Sequence, residues 1–345
     1  MNGKVGFAIT LVVLIVIGGY FFADWNRSVP DEVTATYLGR DSCIQCHQAE
    51  AELFHGSHHD LAMDLATEEF VLGDFDGQTL EHHGIESKMF RNGDQFMINT
   101  EGPDGQMQDF EVKYVFGVEP LQQYMVELER PADAEADEIG RVQVLRVSWD
   151  TEKEKWFYLD PPDVNSKLDP DDPLHWTGIT QNWNASCASC HSTDLQKNFN
   201  AMAGQYHTTF SEIDVSCEAC HGPGSYHVEL ANRNSLFWDR KHGFGLAKLK
   251  TESNLPQIES CAPCHSRRTV VKEGFTPGCN FDDYFATQLI ADPVYHAEGQ
   301  IRDEDYVYGS FIQSKMYHNG TRCTDCHAAH STHAAHSTHA AHSTH

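Results

Sequence analysis

Basic side chains are scarce in this sequence of 345 residues. Lysine and arginine together number 24, against 51 aspartates and glutamates, so the formal charge at pH 7 is -27. A field of this sign repels nucleic-acid phosphates and anionic lipid headgroups, and it attracts partner proteins that carry cationic patches. The composition therefore predicts no binding to nucleic acid.

Long apolar runs are also rare. The mean hydropathy of the whole chain is -0.48, which is typical of a soluble globular body, and one long uncharged run stands out at Val5–Ala23. In a helix this run spans roughly 28 Å, close to the hydrocarbon thickness of a bilayer. Bulky Tyr20, Phe21 and Phe22 end the run where a signal peptidase requires small residues. This flank favours a retained transmembrane anchor over the alternative of a cleaved signal.

The charges beside the run orient it. Lys4 precedes the run and Asp24 follows it, which predicts a cytoplasmic stub at residues 1–4, an anchor at 5–23 and an exported linker at 24–37. We therefore expect a single-pass protein of a bacterial-type inner membrane, with its body in the periplasm or at the cell exterior.

Eleven cysteines are many for such a chain, and their usual meaning in an exported protein is a disulfide framework. Their spacing indicates otherwise, because ten of them form five Cys-x-x-Cys pairs, each followed directly by histidine. The five motifs are Cys43/Cys46/His47, Cys187/Cys190/His191, Cys217/Cys220/His221, Cys261/Cys264/His265 and Cys323/Cys326/His327.

This spacing is the attachment signature of c-type haem. Two thiols on one helical turn reach the two vinyl groups of a haem, and the adjacent histidine is then placed under the ring to bind the iron. A zinc site or a disulfide gives no reason for histidine to follow every pair. The sequence thus predicts five covalently attached haems c. Cys279 lies outside every motif and is interpreted as a small buried residue.

The motifs divide the chain unevenly. We expect a first haem segment at 38–68, an antiparallel β insertion at 69–160 and a four-haem segment at 161–327. Asn92-Gly93 between two extended runs predicts a hairpin in the insertion, and the sequence from Val142 to Trp149 alternates as a strand does. The predicted fold is a multihaem cytochrome of short helices and irregular chain around stacked haems, with this insertion and one N-terminal transmembrane helix.

The second axial ligand of each haem decides its chemistry, since a second histidine gives an electron carrier and an open position can bind a small molecule. The candidates are histidines that lie near the motifs or in motif-rich surroundings: His55, His58, His59, His227, His296, His318 and His330. The alternative for each is a surface or hydrogen-bonding histidine. His82, His83, His175, His207 and His242 are weaker candidates.

Residues 328–345 repeat His-Ala-Ala-His-Ser-Thr with a period of six. A His-rich tract can bind metal, but a perfect repeat of this kind cannot pack a core. We interpret the tail as a truncated or artefactual end, although His330 could be native.

Three stretches carry a resemblance to a known family. They are residues 114–124 (YVFGVEPLQQY), residues 172–184 with DPLHWTG and NWN, and residues 217–225 (CEACHGPGS). Over roughly residues 37–330 the chain resembles multihaem cytochromes whose longer members end in tetratricopeptide repeats. It is more distantly similar to the tetrahaem cytochrome that serves hydroxylamine oxidoreductase. The resemblance implies closely stacked haem pairs and electron transfer, and it implies that family members continue past His327 with further haem motifs.

Three functions are compatible with these features. The first is an electron carrier at the outer face of the membrane, held there by its helix and serving redox partner proteins. The second is an oxidoreductase acting on a small nitrogen or sulfur species at a five-coordinate haem. The third is a haem-stacking subunit of a larger redox assembly or filament, with neighbouring cytochrome chains as partners. The supply of histidines and the absence of a motif ending in lysine favour the first.

Overall fold

The computed structural model describes residues 3–26, 34–233, 243–302 and 306–331. Part of the predicted linker, His242 and the repeat tail after Ser331 lie outside the described residues.

A long apolar helix, α1 (Gly3–Asn26), begins the chain. Its segment Val5–Asn26 has a mean hydropathy of 2.5 and buries none of its side chains within the protein. Among the described residues, this is the one helix long and apolar enough to cross a membrane. By length and composition it is a candidate span, and it extends three residues beyond the predicted anchor.

The other helices are short, and the described residues contain nine of them. They are α2 (Arg40–Ile44), α3 (Gln48–Phe54), α4 (Trp183–Ser186), α5 (Ala188–His191), α6 (Cys217–His221), α7 (Ser225–Ala231), α8 (Leu255–His265), α9 (Tyr308–Ile312) and α10 (Lys315–His318).

Thirteen strands are found in the same residues, and every pairing between them is antiparallel. They are β1 (Asp64–Leu65), β2 (Gln78–His82), β3 (Ile85–Asn92), β4 (Gln95–Glu101), β5 (Met107–Glu111), β6 (Tyr114–Phe116), β7 (Leu121–Glu129), β8 (Arg141–Asp150), β9 (Lys155–Tyr158), β10 (Phe199–Asn200), β11 (Gln205–Tyr206), β12 (Arg268–Val270) and β13 (Phe285–Thr287). The prediction of short helices combined with antiparallel β structure is confirmed.

Two sheets account for most of these strands. One has the order β1-β6-β7-β8-β9 and the other the order β2-β3-β4-β5. The predicted hairpin is present between β3 and β4, but its two-residue loop is Gly93-Asp94, because Asn92 pairs with Gln95. Gly93 takes the left-handed conformation (φ 60°) that the first loop position requires.

An aromatic core joins the two sheets. The ring of Phe75 lies edge-on to the rings of Phe96, Tyr124 and Trp156, with centroids 5.0 to 5.4 Å apart. Edge-to-face contacts at this distance add to the stabilisation from burial. This core needs no haem residue, so the β insertion has a core of its own.

The opposite face of the five-stranded sheet packs on the haem segments. On β8, Leu145 and Val147 lie in the aromatic core, whereas Val142 and Val144 pack with Trp183 and Cys187 in a second core. Because both of its faces are covered, β8 is buried along nearly its whole length. The strand therefore fixes the second motif against the β insertion.

Candidate haem centres

Each motif lies on one turn of helical backbone. The amide of His47 donates to the carbonyl of Cys43 at 3.0 Å, and the amide of His327 donates to that of Cys323 at 2.9 Å. Motif two begins at Cys187, the N-cap of α5, and motifs three and four lie on α6 and the end of α8. The two thiols and the histidine of a motif therefore project from the same turn, as attachment to one haem requires.

The attachment thiols differ in their exposure. None of the ten forms a disulfide; eight are partly buried, whereas Cys46 of motif one and Cys326 of motif five are exposed. Cys46 lies in the turn between α2 and α3, and its side chain is exposed. A haem attached at Cys46 would therefore be partly exposed to solvent. The role of Cys46 in attachment stays a prediction from the motif.

The eleventh cysteine also differs from its interpretation. Cys279 was expected to be buried, but it is only partly buried, and the hydroxyl of Tyr284 donates to its sulfur at 3.9 Å. Its position next to Gly278, in a turn between β12 and β13, leaves part of the side chain open to solvent.

Three thiol contacts bring different motifs together. The thiol of Cys43 lies beside that of Cys217, the thiol of Cys264 beside that of Cys190, and the thiol of Cys261 beside that of Cys323. Interaction with the neighbouring thiol lowers the pKa of Cys217 to about 6 and that of Cys190 to about 5. Motif one thus adjoins motif three, and motif four adjoins motifs two and five.

A further contact completes the arrangement. The hydroxyl of Ser260, one residue before motif four, donates to the carbonyl of Cys220 at 3.0 Å. Motif four is therefore in contact with motifs two, three and five, and motif three connects it to motif one. The contacts between motifs therefore branch at motif four, and they do not follow the order of the motifs in the sequence.

Three motif histidines each face a second histidine. The ring centroids of His47 and His227 are 6.0 Å apart, those of His265 and His59 are 6.2 Å apart, and those of His221 and His330 are 6.0 Å apart. Burial, together with the nearby rings of His330 and His47, lowers the pKa of His221. A neutral imidazole is the form that binds a metal.

These separations fit haem iron. Metal–nitrogen bonds to imidazole are about 2.0–2.1 Å long, so two imidazoles on opposite sides of one ion have ring centroids about 6 Å apart. The donor set of each pair, two thiols and two facing imidazoles, is the set that a bis-histidine haem c uses. The residues of motifs one, three and four therefore fit the group.

Motifs two and five differ from the other three. The Nδ1 atom of His191 lies 3.0 Å from the carbonyl oxygen of Ala62, and the ring that contacts His191 is that of Phe116 at 5.1 Å. Within the described part of the chain, no histidine ring contacts His191 or His327.

The remaining candidate ligands lie apart from the motif histidines. His55 is paired with Asp60 at 3.3 Å and its side chain is 82% exposed. His58 and His296 are exposed, and His318 is an exposed residue at the end of α10 whose ring contacts Tyr317. Their assignment as axial ligands remains a prediction.

A buried carboxylate ties motif three to the chain before motif one. Glu218 stands between Cys217 and Cys220, and its oxygens accept hydrogen bonds from the amides of Leu38, Gly39 and Gly224 at 2.6 to 3.1 Å. Glu218 is only 2% exposed, so these bonds replace its lost hydration. In the sequence, the feature that could have indicated this contact is the acidic residue between the two cysteines of motif three.

A partly buried arginine strengthens the same junction. Arg40 donates to Asp60 at 2.5 Å and to Asp214 at 2.7 Å, and both carboxylates are about 5% exposed. Burial and the neighbouring Asp60 raise the pKa of Asp214 to about 7, although Arg40 opposes this shift. Nothing in the local sequence indicated this triad, because its members are far apart in the chain.

Between motifs two and four lies a cavity of about 330 Å³. Cys190 and Cys264 line it together with aromatic side chains such as Phe285. Arg268 extends over the Phe285 ring at 4.2 Å and donates to the carbonyl of Pro263 at 2.5 Å. The cavity thus places aromatic and charged side chains beside two attachment thiols, a mixed lining that suits a porphyrin ring with its charged propionates.

Comparison with known proteins adds two findings. Residues 164–222, which contain motifs two and three, match the family model "Cytochrome c554 and c-prime". Over 85% of the chain the fold is similar to that of a solved structure, the outer cell wall cytochrome OcwA, with a TM-score of 0.53 and 19% sequence identity. The chain has the fold of a multihaem cytochrome.

The cytochrome fold extends over most of the described residues, whereas the family match is confined to two of the five motifs. The chain covers 56% of the length of the solved cytochrome that it resembles. A comparison with curated protein sequences found no significant match. The comparisons and the five motifs together support a c-type cytochrome with several covalently attached haems.

Proposed function

We propose that this protein is a pentahaem c-type cytochrome that transfers electrons at the outer face of a membrane. The observation that carries the proposal is the set of three facing histidine pairs, His47/His227, His59/His265 and His221/His330, each beside an attachment motif. Bound haem would supply reversible one-electron chemistry, and two imidazole ligands favour electron transfer over binding of a substrate.

The protein's own residues would hold five such groups close together. Thiol contacts join motif one to motif three and motif four to motifs two and five, so neighbouring haems would share walls made by these cysteines. Glu218 and the triad of Arg40, Asp60 and Asp214 would fix motifs one and three relative to each other.

Two motifs lie at the surface, where partners could approach. Motif one exposes Cys46 and 54% of the His47 side chain, and motif five exposes Cys326 and His327. With a formal charge of -27, the body would favour redox partners that carry cationic patches. The similarity to OcwA, an outer cell wall cytochrome, and the apolar helix α1 support a position outside the cytoplasmic membrane, with α1 as the anchor.

A second candidate function rests on motif two. Since the ring in contact with His191 is Phe116 rather than a histidine, a haem there could keep an open axial position, and the cytochrome could then act on a small nitrogen or sulfur species.

A third candidate function rests on the exposure of motifs one and five. Haems attached at these surfaces could stack end to end with the haems of neighbouring chains.

The test is a haem count combined with optical and EPR spectra of the exported protein. Five haems per chain with a low-spin majority would support the electron carrier. A high-spin component that shifts with nitrite, hydroxylamine or cyanide would favour the enzyme, and the absence of covalent haem would refute both.

A further inference from the structure

Three potential metal ligands converge at one edge of the β insertion, outside all five haem motifs. The Nε2 atoms of His82 and His83 lie 2.8 Å and 3.4 Å from the same carboxylate oxygen of Asp160. One ligand atom from each of the three residues lies within 4.8 Å of the others.

Backbone geometry produces this convergence. Adjacent residues of a strand normally point to opposite faces, but His83 is the first residue of the turn between β2 and β3 and has a left-handed backbone (φ 50°). Gly84 follows it with φ 80°, and the turn brings the two imidazole centroids to 3.9 Å. Both rings are therefore directed to the same side of the hairpin.

The second sheet supplies the carboxylate and holds one of the rings. Tyr158 in β9 stacks on His82 with ring centroids 4.1 Å apart and planes 16° from parallel. Asp160 lies two residues further, so the two-residue periodicity of extended chain places it on the same side as Tyr158. His82 is thus oriented by stacking before any ligand binds.

The distances fit coordination to a single ion. Ligands about 2.0–2.2 Å from a tetrahedral zinc ion lie roughly 3.3–3.5 Å from one another. The two nitrogen–oxygen distances of 2.8 and 3.4 Å need only small adjustment to reach that geometry. Without a cation, the two imidazoles share one carboxylate oxygen, and only His82 lies at a good hydrogen-bonding distance from it. The Nε2 atom of His83 is then poorly satisfied.

The ligand types indicate which class of ion would bind. Imidazole nitrogens suit zinc, copper and nickel, whereas calcium and magnesium prefer ligand sets made only of oxygen. The three side chains are 26%, 26% and 39% exposed, so a hydrated ion can reach them from solvent.

We propose that His82, His83 and Asp160 form a binding site for a divalent transition-metal ion of the zinc type, distinct from the haem irons. The ion joins the β2–β3 hairpin of the four-stranded sheet to the segment that follows β9 of the five-stranded sheet. Three protein ligands leave a further position for water, and the small adjoining cavity of about 30 Å³, lined in part by Ser87 and Thr100, has room for it.

The test uses the full-length, haem-loaded protein stripped of loosely bound metal and dialysed against Zn²⁺. Bound zinc is measured by elemental analysis, and affinity is measured by calorimetry. The wild type is compared with His82→Gln/His83→Gln and with Asp160→Asn. The histidines after Ser331 are the same in all variants, so they add an equal background that cancels in the differences.

The wild type should bind one more Zn²⁺ per chain than the double variant. Asp160→Asn should weaken this site by tenfold or more, in the range of about 10–100-fold that changes near a metal produce. Zinc should also raise the melting temperature of the wild type more than that of the double variant, because an ion that binds only the folded state stabilises it.

The matched control is His207→Gln. His207 is hydrogen-bonded to Glu138 at 2.7 Å and lies 3.9 Å from Asp133, but no second histidine is part of its cluster among the described contacts. This variant should bind zinc as the wild type does. Equal zinc binding and equal stabilisation in the wild type and in both site variants would overturn the proposal and leave His82 and Asp160 as an ion pair only.

Discussion

His59 and His265 face each other with ring centroids 6.2 Å apart and planes 87° from parallel. His265 ends motif four, whereas His59 follows motif one, so the fold brings a histidine from the first haem segment to the motif that contacts three others. A haem in motif four would then depend on a residue of the first haem segment.

We expect His59→Ala to remove the second axial ligand of one haem. The variant should retain its full complement of covalent haem, because the attachment cysteines are unchanged, but about one haem per chain should become high-spin. EPR and optical spectra measure this change. The control is His207→Ala, since His207 is hydrogen-bonded to Glu138 at 2.7 Å and has no motif histidine beside it among the described contacts. Low-spin spectra in both variants would refute the His59/His265 pair.

Removing the carboxylate of Glu218 should destabilise the contact between motifs one and three. In Glu218→Ala the amides of Leu38, Gly39 and Gly224 lose a buried carboxylate as acceptor, which should cost about 3 kcal/mol or more. The measurement is chemical or thermal unfolding of the haem-loaded protein, followed by circular dichroism. Glu273→Ala is the control, because its ion pair with Lys197 is exposed and should contribute less than about 1 kcal/mol. Equal losses in the two variants would contradict the role given to Glu218.

Asn184 should stabilise the contact between the β insertion and motif two, as Glu218 stabilises the contact between motifs one and three. Its fully buried amide accepts from the amide of Val142 and donates to the carbonyl of Gly140 and the hydroxyl of Thr208, each at 2.9 Å. Asn184→Ala should reduce the free energy of unfolding by about 2–4 kcal/mol. The exposed Asn232→Ala, which loses one bond within its own helix, should change it by no more than about 0.5 kcal/mol. A shift below about 1 kcal/mol at Asn184 would indicate that water replaces these bonds.

The raised pKa of Asp214 predicts a dependence of stability on pH. Its pKa is about 7 in the folded protein against an ordinary value of 3.8, so the folded state binds the proton more tightly. The resulting stabilisation is fully present below about pH 4 and is lost as the pH rises through about 7. One oxygen of Asp214 is buried without a hydrogen-bond partner among the described residues, which is consistent with a carboxyl that resists ionisation.

Asp214→Asn should remove this dependence, because the amide resembles the protonated acid and does not titrate. The difference in melting temperature, wild type minus variant, should therefore fall between about pH 4 and pH 7 and stay level above that range. Other titrating groups are common to both proteins, so they cancel in the difference. A difference that is constant or rises over this range would show that Asp214 is ionised throughout, as a simple ion pair with Arg40 would require.

Much of the protein could be predicted from local patterns. The attachment motifs are complete within five residues, and one helical turn suffices to bring their thiols and histidine together. The helix α1 and the strands of the β insertion can likewise be predicted from hydrophobic patterns within short segments of the sequence. The neighbouring strands β5 and β6 nevertheless belong to different sheets, and between them the Lys113 amide donates to the carbonyl of Met125 in β7.

The sequence by itself determined the cofactor type, the number of attachment motifs, the acidic surface and the candidate membrane helix. The tertiary structure decided which histidine faces which motif, that Cys46 is exposed while Cys43 is partly buried, and that His82, His83 and Asp160 converge. These contacts join segments far apart in the chain, and no periodicity relates their members. Covalent attachment needs residues on a single turn, whereas axial pairing, thiol burial and metal binding depend on side chains that only packing brings within a few ångströms.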